Sequence, residues 1–334
     1  MHFVSAVNCI EPCAVILKDF LLSQDIFLPL CFVALQRCSK KEDGCLFRPL
    51  SMDDLPAIWE RQQKLHTLSS EFDVFRLYAW LPLDQSEIAF WRNQFVIRCQ
   101  VQGETWYIAP GETEDFHALL KELISYERAA GGHTFRLLNS DRDINDYPSG
   151  FVSTQRRDLF DYIYRASDLI EMKGRDYSAK RNQVSQFKRN YDWRFEPLTS
   201  NNRSACIRLI DMWDCAHEGI MLPFERIAVE RMLSLEQDYG QSGGVLFVGN
   251  EPIAFAIGSH PRSELLDIVA EKSLPNYIGS YSMIIQSYAA YAHSLAPFDY
   301  INREEDMGLE NLRNAKLQLK PVALVEKTLM TLDL

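Results

Sequence analysis

The chain lacks any apolar run long enough to cross a bilayer. The longest run in its N-terminal part, 26–36, falls far short of the roughly 20 residues a spanning helix needs. No basic stretch precedes an apolar core near the N-terminus, so a signal peptide is not expected. Positive charge is in deficit: 35 Lys and Arg against 46 Asp and Glu give a net charge of −11. Indiscriminate binding to nucleic acid or anionic membrane through the mean field is thereby excluded. There is no C-x-x-C pair and no Cys/His spacing suited to zinc, so no metal site is expected. His66, His117, His133, His217, His260 and His293 are scattered singly, and none stands beside a nucleophile in a hydrolase-like arrangement. No clear internal repeat is visible.

What is present points to a folded protein with a sizeable core. The 334 residues suggest about two domains, and 47% hydrophobic with 24% charged content is a globular profile. Five of the eight cysteines, Cys9, Cys13, Cys31, Cys38 and Cys45, fall in the first 45 residues. Cys99, Cys206 and Cys215 sit in apolar contexts and are expected to be reduced core residues, which fits a reducing, cytoplasmic compartment. Residues 1–45 are apolar but broken by Glu11, Lys18, Asp19 and Asp25, and read as an N-terminal extension of uncertain order.

From 46 onward, strand and helix patterns alternate, an α/β or α+β signature. A short strand near 46–50 leads into a helix over 53–66, followed by an aromatic cluster of Phe72, Phe75, Tyr78 and Trp80. Strands follow over 88–91, 95–101 and 105–108, then a helix over 114–130 ending at Gly131-Gly132, and a strand over 134–138. These make a first domain, 46–160. A connecting segment, 161–192, precedes a second domain, 193–334. That domain reads as a strand, two amphipathic helices, three antiparallel strands including a hairpin at Gly249-Asn250, a helix to 293, a strand at 298–301, a helix stopped by Pro321, and a closing strand over 321–329.

Two stretches carry chemistry. From Lys173 to Arg194 there are seven basic residues and two acids, a local balance of +5 within a chain of −11. On a helix starting near Asp176, Tyr177, Val184, Phe187 and Tyr191 form an apolar stripe, with Lys180 inside it and Arg181 at its margin. An inward cation requires a carboxylate or a bound phosphate. A solvated basic face is the competing reading. The second stretch is Asn302-Arg-Glu-Glu-Asp306, five polar residues between an apolar strand and a helix, with Arg313 and Lys316 one turn apart beyond it. Asp306 is placed to cap that helix, and a plain capped helix with solvated charges is the competing reading.

The order strand, helix, helix, three antiparallel strands, helix, strand, helix, strand is the succession of the GNAT-type acyltransferase fold. In that fold the helix after the fourth strand aims its N-terminus at an acyl carrier's pyrophosphate. Here only Gly279 remains of the usual glycine-rich loop.

The motifs Lys173-Gly-Arg-x-Tyr-x-x-Lys-Arg-Asn182, Val269-Ala-Glu-Lys272, and Asn302-Arg-Glu-x-Asp-x-Gly followed by Leu312-Arg-x-Ala-Lys316 resemble the soluble C-terminal domain of phosphatidylglycerol lysyltransferase. They also resemble free-standing proteins that share it. Ser70-Glu-Phe-Asp-Val-Phe and Ala79-Trp80 are weaker matches. The resemblance implies tandem GNAT-like units, each a mixed central sheet flanked by helices. It implies a cleft at their joint, with aminoacyl-tRNA as donor. The membrane-embedded half of lysyl-phosphatidylglycerol synthases has no counterpart here, which weighs against a lipid acceptor; the acceptor is expected to be a small molecule or a lipid headgroup.

The expected chemistry is acyl or aminoacyl transfer to an amine or hydroxyl. It needs aligned substrates, a base, and donors for an oxyanion. Lys173, Arg175, Lys180, Arg181 and Asn182 are candidates to hold donor phosphates. Glu271 is the candidate base or amine-recognising carboxylate, with Lys272 neutralising phosphate or pairing with Glu271; an internal ion pair of these two with Lys180 or Arg313 is the competing reading. Asn302, Arg303, Glu304 and Asp306 are expected to build the opposite wall, anchored by Arg313 and Lys316. Three rivals remain. One is a coenzyme A-dependent N-acyltransferase acting on a small amine. Another is a non-catalytic protein that binds anions or nucleic acid such as tRNA. The third is an interaction scaffold whose buried ions only specify the fold.

Overall fold

The computed structural model describes residues 47–80, 86–113, 115–216, 223–236 and 238–334. The extension 1–45, with its five cysteines, lies outside the described residues. The elements in chain order are β1 (Arg48–Pro49), α1 (Leu55–Gln62), α2 (Val74–Trp80), β2 (Glu87–Trp91), β3 (Gln94–Val101), β4 (Glu104–Ile108), α3 (Phe116–Ala129), β5 (Thr134–Asn139) and β6 (Val152–Gln155). Then come β7 (Asp161–Arg165), α4 (Ala166–Glu171), α5 (Ser178–Asn190), β8 (Trp193–Pro197), α6 (Arg203–Ala216), α7 (Pro223–Ser234), β9 (Gln241–Val248), β10 (Glu251–Arg262) and β11 (Leu265–Ser273). The chain closes with α8 (Ser280–Leu295), β12 (Tyr300–Asn302), α9 (Glu310–Leu317), β13 (Ala323–Val325) and β14 (Thr328–Asp333).

The strands form two seven-stranded mixed sheets, ordered β1-β2-β3-β4-β5-β14-β6 and β13-β7-β12-β11-β10-β9-β8. In each, antiparallel strands lead into one parallel pair, β4 with β5 and β11 with β12. This is the tandem GNAT-like architecture that the family resemblance implies, and in the second half the one that the order of elements predicts. One core runs through both halves: Leu55, Ile58, Phe72 and Phe75 of the first join Phe187, Phe255, Ile284 and Tyr288 of the second. A separate core under α3 collects Leu119, Tyr107 and Phe135. Cys99 and Cys206 are buried as expected, whereas Cys215 is exposed.

α2, α4 and β6 have no counterpart in the sequence reading, and two further elements depart from it. The segment expected to open the connector is instead β7, which sits inside the second sheet between β12 and β13. Tyr162, Ile163 and Tyr164 are all fully buried. A strand covered on both faces shows no alternation, so its pattern did not mark it as a strand. The single closing strand over 321–329 is in fact two. β13 pairs with β7 in the second sheet, but β14 crosses to the first and pairs with β5 and β6. Lys327 stands at the crossover, fully buried. Its ammonium meets Glu71 from the first half and Asp161 from the start of β7, each at 2.8 Å.

The helix α8 owes its position to Gly279. Its φ of +89° precedes the first turn, and a Cβ there would collide with the Gln183 carbonyl of α5. α8 therefore packs directly on α5, burying Met283, Ile284, Tyr288 and Ala292. No helix among the described residues is long and apolar enough to cross a membrane.

Candidate active site

The site lies where the parallel pair of the second sheet separates. β11 and β12 are in register from Leu265 with Tyr300 to Asp267 with Asn302, and no further. Beyond Asn302 the chain keeps to β7: the Arg303 N–H donates to the Tyr162 carbonyl (3.1 Å), and the Tyr162 N–H donates to that of Glu304 (3.3 Å). β11 runs on to Ser273, bonded among the described strands to β10 alone. The result is a fork with Ile268 to Ser273 on one side and Arg303 to Asp306 on the other.

Arg303 spans this fork. One of its nitrogens donates to both oxygens of Glu271 (3.2 and 3.1 Å) and to the Tyr281 hydroxyl (2.6 Å) at the start of α8. Burial opposes its charge, but Glu271 and then Tyr281 outweigh it and raise the guanidinium's pKa. Its Nε and Nη1 have no partner among the described residues, although the residue is only 6% exposed. They are two buried N–H donors that a bound group would satisfy.

Glu304 and Lys316 sit beside it. Glu304 has a φ of +52°, in the left-handed region that non-glycine residues seldom enter. Its carboxylate accepts from Arg76 Nε at 3.1 Å, and its side chain remains 16% exposed. Burial lifts this carboxyl to about 8, against the pull of Arg76 and with the help of Glu305. Lys316 donates to the carbonyls of Arg303 and Glu304. Burial, then Arg303, bring its ammonium down to about 8. A carboxyl and an amine that both titrate near neutrality, side by side, are suited to passing protons.

A buried ionic network supports this pair from below. Glu71 accepts from Arg76 (3.0 Å) and from Lys327; burial alone would raise it, but the two cations outweigh burial and hold it at about 2. Asp161 accepts from Lys327, from Ser70 N–H (2.9 Å) and from Asn302 Nδ2 (3.2 Å). Asn302 in turn holds the Leu68 carbonyl and the Glu304 N–H. Asp267 lies fully buried with neither carboxylate oxygen partnered among the described residues, and burial, followed by repulsion from Glu304, Asp73 and Asp161, lifts it well above the carboxylate range. Asp73 accepts from Ser259, yet burial still raises it to about 6.

These shifts fix a pH dependence. Asp73, Asp267 and Glu304 have folded values above their unfolded ones. Their contribution to stability is complete below about pH 4 and is lost as pH rises through the folded values, to about 8 for Glu304. Glu71 and Asp306, held near 2, act oppositely and lose their contribution only as pH falls toward 2. Folding free energy from urea titrations is therefore expected to decline from pH 5 to pH 8. A rise over that interval would contradict this assignment of the buried carboxyls.

The residues singled out in the sequence divide sharply. Arg303, Glu304, Glu271, Asn302 and Lys316 meet at the fork. Lys180 is near enough for Arg303 to oppose its charge, although burial lowers its pKa more, and its ammonium reaches Gln318 at 3.3 Å. Asp306 is fully buried but does not cap α9. It accepts from Arg157, Tyr162 and Arg313 at 2.9, 2.6 and 2.9 Å, and from the Gly308 N–H. Burial would raise it, but these donors outweigh burial and hold it near 2, so it acts as an anchor. Lys272 does not pair with Glu271. It points the other way, to Glu225 at 2.6 Å and over the Trp213 ring at 4.2 Å, because successive strand residues face opposite sides. Lys173 is exposed and pairs with Glu171, Arg175 and Asn182 are exposed, and Arg181 closes the preceding loop through the Met172 and Gly174 carbonyls. Arg76, Glu71, Asp161, Asp267, Tyr281 and Lys327 were not anticipated. The pair of acids in Ser70-Glu-Phe-Asp73, set among aromatics, was the available signal.

The family model of the phosphatidylglycerol lysyltransferase C-terminal domain matches residues 77–330. The chain belongs to that family. Among curated proteins, none matches it in sequence. Among solved structures it is similar to a Bacteroides thetaiotaomicron protein of unknown function, at 27% identity and a TM-score of 0.79, over 86% of this chain and 100% of that one. It is also similar to the C-terminal domain of a putative lysylphosphatidylglycerol synthetase from Agrobacterium fabrum (16% identity, TM-score 0.60, 84% of this chain and 91% of that one). A further likeness is to FemX (9% identity, TM-score 0.59, 86% of this chain and 97% of that one). At such identities the last two speak for the fold alone, which this chain shares with them.

Proposed function

We propose that the protein transfers an acyl group, in the first instance an aminoacyl group from aminoacyl-tRNA, to an amine or hydroxyl acceptor at the fork. The observation that carries this reading is the separation of β11 from β12 just past Asp267 and Asn302, with Arg303, Glu304 and Lys316 converging there. An extended acyl carrier can pair with the free edge of β11 and lay its carbonyl against the unpartnered N–H groups of Arg303. These would stabilise the oxyanion as the acceptor attacks. Glu304 in its ionised form takes the acceptor proton, and Lys316 shares it. The proton passes to the leaving oxygen as the donor's ester bond breaks and the new amide or ester forms. Glu271 and Tyr281 position Arg303.

The free β11 edge and the glycine before α8 also suit a coenzyme A thioester, the second reading. Membership of the lysyltransferase family favours the tRNA donor. The deciding experiment incubates the protein with charged tRNA and, separately, with acyl-coenzyme A, and follows the labelled acyl group by mass spectrometry. A product from charged tRNA supports the first reading, and one from acyl-coenzyme A alone supports the second. Salt-sensitive tRNA binding without any product would make it a binding protein.

A further inference from the structure

The first sheet ends on an edge unlike the other three. β1 has two residues, one of them Pro49; β8 carries Arg194, Glu196 and Pro197; β13 has three residues. Shortness, charge and proline are the usual means of keeping an edge from pairing. β6, Val152-Ser-Thr-Gln155, has neither charge nor proline, keeps unbroken register with β14, and is exposed along its whole length, Val152 at 65%.

The ladder fixes which backbone groups face outward. The Arg156 N–H donates to the Lys327 carbonyl (2.8 Å), so Arg156, Thr154 and Val152 aim their N–H and C=O groups at β14. Those of Ser153 and Gln155 point away, and no described residue bonds to them.

We propose that β6 pairs antiparallel with β6 of a second copy, across a two-fold axis at Thr154, joining the two first sheets. The segment is self-complementary in this register. Ser153 faces Gln155 of the other copy, and each exchanges both backbone bonds with its counterpart, so every outward group is satisfied. Thr154 falls opposite itself at a non-hydrogen-bonded position, where Cα atoms approach to about 4.5 Å and paired threonines are favourable. Val152 falls opposite Arg156, whose guanidinium is held within its own copy by Asp158 (2.6 Å) and by the Trp106 ring. No like charges therefore face each other in the ladder, and the nearest acid is Glu326, which accepts from Gln155 Nε2 (3.2 Å) within its own copy. A second copy is the occupant whose edge has this neutrality and spacing by construction. The seam is short, well below the ~1,000 Å² of a permanent interface, so the dimer is reversible.

The register gives a test on the full chain. Thr154→Cys is expected to form a covalent dimer on mild oxidation, with peptides cross-linked through position 154. Ser153→Cys, facing Gln155, is not; background from the native cysteines is read in the parent. Ser153→Pro removes an outward N–H and leaves the β14 ladder intact. It is expected to be monomeric by light scattering at concentrations where the parent dimerises, with unchanged Tm. A parent that stays monomeric at the highest concentration reached, or equal cross-linking at 153 and 154, overturns the proposal.

Discussion

Replacing Lys327 by methionine is expected to lower folding stability by about 3–5 kcal/mol, the cost of removing one member of a buried ion pair. The lysine is fully buried, and its ammonium touches Glu71 and Asp161 at 2.8 Å each. Burial disfavours its charge, but Asp161 and Glu71 outweigh burial and raise its pKa. Methionine fills much the same volume, so packing changes little and the loss is electrostatic. It leaves Glu71 with Arg76 alone, and Asp161 with the neutral donors of Ser70 and Asn302. Because Lys327 stands where the chain passes from the second sheet to the first, the same substitution loosens the crossover. Urea denaturation at pH 7 reads the effect. Combining it with Asp161→Asn is expected to cost less than the sum of the single changes, since the carboxylate left with neutral donors alone is then gone. A single-variant loss under about 1 kcal/mol would mean that the two acids find other partners, and the network would not be what joins the halves.

That network marks where sequence reading reached its limit. Glu71 and Lys327 are 256 positions apart, and nothing local distinguishes a lysine bound for the core from one bound for solvent. The helical phase of Lys180 and the polar run Asn302 to Asp306 were legible because both sit in regular periodic surroundings. Their roles were less so. Glu271 and Lys272 read as neighbours able to pair, but strand geometry sends them to opposite faces, one to Arg303 and the other to Glu225. Asp306 read as a cap because it precedes a helix, and only the fold brings Arg157 and Tyr162 to it. The order of elements was legible almost throughout, since amphipathic periods and turn residues are local. The destination of β14 was not, because a strand's period tells which face is buried and not which sheet it joins. Arg76 was hidden for another reason: in a helix dense with aromatics it reads as the exposed residue, yet it bridges Glu71 and Glu304.

Glu304→Gln is expected to reduce transfer by about 10²–10⁴-fold, the range for loss of a general acid–base group, while the protein stays folded. Glutamine keeps the size and can still face Arg76, but it cannot take a proton. In the parent, the ionised fraction of Glu304 grows as pH approaches its value of about 8, so the transfer rate rises from pH 6 to 8; in the variant that rise is lost. The stability effect has the opposite sign. A carboxyl with a raised folded value costs stability when it ionises, so the variant's denaturation midpoint at pH 8 is expected to match or exceed the parent's. The two readouts separate the proposals. Retained transfer with a flattened stability profile would remove Glu304 from the chemistry and leave Lys316 as the group near neutrality. Lost transfer with an unchanged stability profile would mean that burial does not raise the carboxyl and that the pH dependence arises from Asp73 and Asp267 instead. Only loss of transfer together with a flatter profile assigns both the proton transfer and its pH dependence to this one strained residue at the mouth of the fork.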